Sequence, residues 1–193
     1  MKRIRRISWS LLPVFLLVFT LEPRIDAGRD DPYVEGDRLA FAFHDLDGRT
    51  VRSSDPEFQG KVLLVDLWGT WCPPCLSEIP SLIDLQQRLG DLGLTIIAIA
   101  FESEDEDEET RRANLKAHVA EWGINYLVLD GRTPQDSDEE LPQLKNVRGF
   151  PVEILIDRNG KVVVARNGYG YKKRWARKLE KELTELLGVP DGG

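Results

Sequence analysis

Apolar and polar positions along this chain fall into blocks with two different periods. Lys61–Trp68 (KVLLVDLW) and Leu94–Phe101 (LTIIAIAF) are near-continuous apolar runs of strand length. Such runs predict strands buried on both faces. Asn125–Asp130 (NYLVLD) reads as a shorter strand. Two segments alternate instead, around Asp47-Gly48 (RLAFAFHDLDGRTVRS) and around Asn159-Gly160 (VEILIDRNGKVVVAR). Alternation about such a dipeptide predicts a β-hairpin. Helical spacing begins at Pro73, where Leu76, Ile79, Leu82, Ile83, Leu85 and Leu89 share a face. Proline is tolerated in a first turn, Pro80 is expected to kink the helix, and Gly90 and Gly93 stop it. A second helix runs from the acidic stretch after Phe101 to Gly123, with Leu115, Val119 and Trp122 on one side. A third closes the domain, with Trp175, Leu179, Leu183, Leu186 and Leu187 on one side. Gly131–Gly149 reads as a loop with one short helical turn. The order is hairpin, β-α-β-α-β, then β-β-α. It predicts one α/β domain around a buried sheet, with helices on both faces.

The first 27 residues break this pattern. MKRIRR is basic, and Ile7–Leu21 is apolar but interrupted by Pro13. That run is shorter than the roughly 20 residues a membrane helix needs. The tripeptide IDA before Gly28 resembles a cleavage site. Residues 1–27 are therefore read as an export signal, with an uncleaved membrane anchor as the alternative. The absence of cysteine there excludes a lipoprotein anchor. Residues 28–36 read as a linker, 37–188 as the domain and 189–193 as a tail. An exported domain works where disulfides persist. With 193 residues, 41% of them apolar, the chain can bury a substantial core. A formal charge of -7 without a basic stripe argues against a nucleic-acid partner.

Both cysteines lie in GTWCPPCLSEIP, two residues apart. A zinc site needs four ligands, and the two histidines, His44 and His118, lie far off in sequence. A c-type haem site needs histidine after the second cysteine, where this chain has Leu76. A purely structural disulfide would close a loop too short to constrain the unfolded chain much. The remaining reading is a redox-active dithiol with no metal or cofactor. Cys72 stands just before a helix N-terminus, where partial positive charge favours thiolate, and Cys75 stands one turn in.

LLVDLWGTWCPPCLSEIPSL resembles the thioredoxin superfamily, and within it the TlpA/ResA-like branch of exported thiol-disulfide oxidoreductases. FHDLDGRTV is similar to that branch's N-terminal hairpin, GKVLLVDLW to its central strand, and VRGFPVEILIDRNGKVV to its cis-proline loop and following hairpin. Residues from about 36 to 188 fit. The resemblance implies a thioredoxin-like fold, a central mixed sheet flanked by helices with an N-terminal hairpin extension. It makes Cys72 the exposed nucleophile and Cys75 the buried resolving thiol. Pro151 becomes a cis-proline facing the pair, and the Phe150 backbone the edge that pairs with an extended partner. Trp71, Pro73 and Pro74 border the partner surface. Asp66, a charge inside an apolar strand, becomes the proton acceptor of the resolving thiol; the plain alternative is an aspartate paired with a nearby lysine. Glu78 lies one turn after Cys75, near the site, or else is a solvated first-turn glutamate.

Pro73 and Pro74 have no N–H, which leaves the donors of Cys75 and Leu76 as the nearest to the Cys72 sulfur. Fewer donors mean a less stabilised thiolate, and such a dithiol tends to reduce other disulfides. The expected function is disulfide reduction in exported proteins, cytochrome c maturation included, with electrons from a membrane donor. A peroxiredoxin-like peroxidase is a second hypothesis, although Thr70 is one residue out of step with its T-x-x-C pattern. A non-enzymatic binding module is a third. Val152 and Glu153 follow Pro151 where the branch usually has small hydroxyl residues, and Glu153 either tunes the site or points outward. The acidic run Ser103–Glu109 reads as a solvated helix start, with a docking patch for a basic partner as the sharper alternative. Trp122 and Trp175 are expected to pack on the sheet.

Overall fold

The structure is a computed structural model that describes residues 32–34, 36–102, 106–168 and 173–189. The export segment 1–27 lies outside them, as do 28–31, 103–105 of the acidic run and 190–193 of the tail. The strands are β1 (Tyr33–Val34), β2 (Ala42–Asp45), β3 (Thr50–Arg52), β4 (Val62–Trp68), β5 (Leu94–Ala100), β6 (Leu127–Asp130), β7 (Leu144–Lys145), β8 (Val152–Ile156) and β9 (Val162–Asn167). The α-helices are α1 (Pro73–Leu89), α2 (Glu108–Trp122), α3 (Ser137–Glu140) and α4 (Lys173–Leu187).

Seven strands form one mixed sheet in the order β3-β2-β6-β5-β4-β8-β9. β4, β5 and β6 run parallel, while β8 and β9 close the sheet antiparallel. The all-apolar runs became the central strands because both faces are covered, which is what such runs require. Both hairpins form at the expected turns, with Gly48 and Gly160 in the left-handed region that glycine favours.

Helices flank the sheet unequally. On one face, Val62, Leu64, Ile96, Leu155 and Val164 pack against Leu82, Leu85 and Leu89 of α1 and Trp175, Leu179 and Leu183 of α4. Trp68, Ala98, Ala100 and Val128 continue that face against α1 and Leu115 of α2. The opposite face, with Val65, Leu67, Ile97 and Ile154, is covered by Phe41, Phe58, Leu141 and Leu144. The three long helices thus share one side. The other is closed by the Pro56–Phe58 turn and the segment around α3. The segment 131–144, longer than the resemblance leads one to expect and given no functional role from sequence, therefore has a structural task. Its Leu144 also lies in β7, which pairs with β1 inside the segment read as a linker.

Trp122 departs from expectation, being 37% exposed rather than packed on the sheet. Helix α2 meets the sheet through Arg111, Leu115 and the partly buried Val119, while Trp122 at its end stays outside that contact. Arg111 makes a buried two-pronged ion pair with Asp130, at 2.7 and 3.0 Å. Of the acidic run, Asp107 caps α2 by accepting from the Thr110 N–H at 2.9 Å, and Glu108 and Glu109 fill its first turn. That is the favourable end of the helix dipole for acids. Pro80 sits on the exposed side of α1 without splitting it in two.

Candidate active site

The site forms where β4 ends and α1 begins, at the carboxyl edge of the parallel strands, a usual place for chemistry in such sheets. Cys72 is the N-cap of α1, with extended backbone, and Pro73 and Pro74 occupy its first two positions. Cys72 and Cys75 are joined by a disulfide with Cα atoms 5.3 Å apart. The Cys75 N–H points at the Cys72 sulfur at 3.3 Å. The Leu76 N–H does not reach the sulfur, because it donates to the Cys72 carbonyl at 3.1 Å as the helix requires. One main-chain donor serves the sulfur where two were expected.

The expected contrast in exposure is absent. Cys72 is 3% exposed and Cys75 is 2%. In the disulfide form the leading sulfur is covered, because Phe150 packs against it and its carbonyl oxygen lies 3.6 Å away. The Phe150–Pro151 peptide is cis, as the resemblance implied. Trp71, 52% exposed, leans on Phe150 with ring centroids 5.9 Å apart. Its indole N–H donates to the Phe101 carbonyl at 2.8 Å. A Cβ at Gly69 would fall 2.7 Å from that same oxygen, so this turn admits only glycine without a shift.

Glu102, missed by the sequence reading, anchors the loop. Its buried carboxylate accepts from the Thr70 N–H at 2.8 Å and the Thr70 hydroxyl at 2.6 Å. The signal for it was a charge directly after the apolar run ending at Phe101.

Asp66 and Glu78 are both buried, so neither is a solvated surface acid. The Glu78 carboxylate lies against the cis-proline loop, since a Cβ built on Gly168 would meet a Glu78 oxygen at 2.6 Å and the Pro151 ring at 2.7 Å. Asp66 forms no ion pair among the described residues, and its Oδ1 lacks a hydrogen-bond partner there. The lysine-paired alternative is therefore not what the fold contains. The neighbour opposite Asp66 on β5 is Ala98, and on β8 it is Glu153. Burial pushes the Asp66 carboxyl well above the usual range, and the Glu153 charge adds to this. Burial likewise pushes up the Tyr126 phenol, with Asp66 and Glu78 both close enough to contribute.

Glu153 does not point outward. It is buried, accepts from Arg166 Nε at 2.8 Å, and also accepts from the Trp175 indole N–H. Arg166 is held in turn by Glu182 at 2.7 Å.

A raised folded-state pKa fixes the sign of one prediction. The protonated Asp66 is tolerated at low pH, and stability is lost as pH rises from about 4, the unfolded value, through the folded value. An asparagine side chain has no proton to lose. Asp66→Asn should therefore stabilise the fold by an amount that grows by about 1.4 kcal/mol per pH unit across that window and then levels off. Urea unfolding at a series of pH values measures it. A stability difference independent of pH would contradict an Asp66 with raised pKa.

A family model described as Redoxin matches residues 35–183. The chain is 29% identical over 163 residues to the thiol-disulfide oxidoreductase ResA of Bacillus thuringiensis subsp. konkukian, covering 84% of this chain and 82% of that protein. It is 26% identical over 174 residues to ResA of Bacillus subtilis, covering 87% and 88% of the two chains. A solved thiol:disulfide interchange protein of the thioredoxin family from Chlorobium tepidum superposes with a TM-score of 0.59 at 25% identity. That superposition covers 85% of this chain and all of the other.

Proposed function

Because this chain belongs to the Redoxin family, as a ResA-like thiol-disulfide oxidoreductase of the thioredoxin superfamily, we propose that it reduces disulfides in other exported proteins. Apocytochrome c is a substrate of the right chemistry, with a paired-cysteine segment that must be reduced before haem attaches. A membrane-embedded donor returns electrons to the Cys72–Cys75 pair, since the compartment itself is oxidising. Residues 1–27 export the domain or anchor it.

One observation carries the reductive direction. The Cys72 sulfur receives a single main-chain N–H, from Cys75, and faces the negative end of the Phe150 carbonyl. Pro73 and Pro74 supply no donor. A thiolate so placed is stabilised less than one ringed by donors, which favours the disulfide form and makes the dithiol a reductant.

In the reaction, the Cys72 thiolate attacks one sulfur of the partner's disulfide, and the partner's other sulfur leaves as thiolate. Cys75 then attacks the Cys72 sulfur, releasing the partner's second thiol and closing the disulfide. Asp66 takes the Cys75 proton in that step. Trp71 and Phe150 offer the partner an apolar platform beside the sulfur, with Pro73, Pro74 and Pro151 at its edges.

Equilibration against glutathione buffers tests the direction. The Cys72–Cys75 potential should lie at or below about −250 mV, in the range of reductants. Pro74→His restores an N–H and adds a potential cation beside the sulfur. It should lower the Cys72 pKa and raise the potential by several tens of millivolts. A wild-type potential near the roughly −120 mV of a strong oxidant would overturn the reductive reading.

A further inference from the structure

Asp66 has an acid for a neighbour where a buried carboxylate would need a cation. Directly opposed residues in antiparallel strands hold their Cβ atoms about 4.5–5.5 Å apart on one face, and Asp66 and Glu153 are such a pair. Glu153 cannot turn away, because Arg166 holds one of its oxygens and Trp175 the other. Groups from the surrounding elements stand on this same side of the sheet. Helix α1 brings Cys75 and Glu78, Tyr126 stands just before β6, and β5 brings the uncharged Ala98. Arg166 comes from β9 and Glu182 from α4. Arg166 is the one buried cation among these groups, and its ion pairs go to Glu153 and Glu182, not to Asp66.

We propose that Glu153 is a positioning residue for proton transfer. Fixed as a carboxylate opposite Asp66, it keeps Asp66 protonated while the Cys72–Cys75 disulfide is closed, so that Asp66 supplies the proton Cys75 takes when the disulfide opens. The inference rests on the reading above that Asp66 is the proton partner of Cys75. A donor dithiol's thiolate attacks the Cys72 sulfur, and the bond to Cys75 breaks. The electron pair leaves on the Cys75 sulfur, and the Asp66 proton moves to it. The products are a donor–Cys72 mixed disulfide, a Cys75 thiol and an Asp66 carboxylate. In the opposite direction, when Cys75 attacks a mixed disulfide at Cys72, that carboxylate beside a second one is a strong base and takes the proton back. Burial raises both carboxyls, but Arg166 and the Trp175 N–H pull Glu153 down, and Asp66 has no such counterweight among the described residues.

The test follows the opening of the oxidised protein's disulfide by dithiothreitol across pH, by stopped-flow tryptophan fluorescence. Divided by the dithiothreitol thiolate fraction, the wild-type rate should fall as Asp66 loses its proton. In Glu153→Gln, the midpoint of that fall should move down by about one pH unit or more, a tenfold loss of proton affinity. In Asp66→Asn the fall should vanish, and Glu153→Gln added to it should change nothing. A fall retained in Asp66→Asn would overturn the assignment of Asp66. A fall abolished there but unmoved in Glu153→Gln would overturn the role of Glu153 alone. A merely structural Glu153 would lower the melting temperature and leave the midpoint in place. Should Glu153→Gln not fold, aspartate-selective carboxyl ¹³C NMR of the oxidised wild-type protein decides. A buried aspartic acid still protonated at neutral pH supports the inference, and an ionised one overturns it.

Discussion

Replacing Cys72 by serine should abolish disulfide exchange altogether, whereas Cys75→Ser should leave a protein that attacks its partners and then cannot let go. The asymmetry follows from position. Cys72 caps α1 and borders the Trp71–Phe150 platform, whereas Cys75 lies inside the first turn with its N–H aimed back at the leading sulfur. Exposure does not distinguish the two in the closed disulfide, since both are buried. The distinction must arise when the disulfide opens and the Cys72 sulfur can leave the Phe150 carbonyl. Loss of a nucleophile costs several orders of magnitude in rate. The assay is reduction of a model disulfide protein, with non-reducing gels to detect covalent complexes. Cys75→Ser should accumulate them and Cys72→Ser should not. The same complexes, isolated from the native cell, identify the partners. Complexes formed through Cys75 in Cys72→Ser would reverse the assignment.

The second large effect concerns stability. Arg166→Met should destabilise the fold by about 3–5 kcal/mol at neutral pH, the usual cost of stranding a buried charge. Arg166 is the shared cation of Glu153 and Glu182, and all three are buried. The loss should shrink in acid. Burial already raises the Glu153 carboxyl in the intact network, and removing the guanidinium raises it further. A raised folded pKa makes stability greatest below the unfolded value, and the penalty accumulates as pH climbs through the folded value. The deficit should therefore be largest near pH 7 and narrow below about pH 5, close to the unfolded glutamate value. Denaturant midpoints at the two pH values measure it, and a deficit equal at both would point to lost packing rather than lost charge.

The Glu153–Arg166 pair was within reach of the sequence. Two residues paired across a hairpin centred on Asn159-Gly160 stand at equal distances either side of that dipeptide, and Glu153 and Arg166 do so. Next to the turn the ladder runs one residue out of that register, with Ile156 opposite Val162, and an irregularity at Leu155/Ile156 brings Glu153 opposite Arg166. What the alternation of PVEILI could not say is which side of β8 would be open. Val152 and Ile154 meet one core and Glu153 faces the other, because a central strand has no outer face.

Much of this protein was determined locally. The apolar runs could only be central strands, the Asp-Gly and Asn-Gly alternations could only be turned back on themselves, and the leucine spacing from Pro73 specified α1. Cys72 and Cys75 stood out because two cysteines at that spacing, before a helix, suit little else. Those features depend on contacts within a few residues, so the sequence carries them directly. The tertiary structure decided what depends on neighbours from other segments. It placed Phe150 over Cys72, gathered the long helices on one face, and used the 131–149 segment to cover the other. It also set Ala98 and Glu153, rather than a lysine, beside Asp66. The charge state of a buried carboxyl is the free-energy balance of desolvation against whatever stands nearby, and strands roughly 30 to 90 residues away in sequence supply those neighbours.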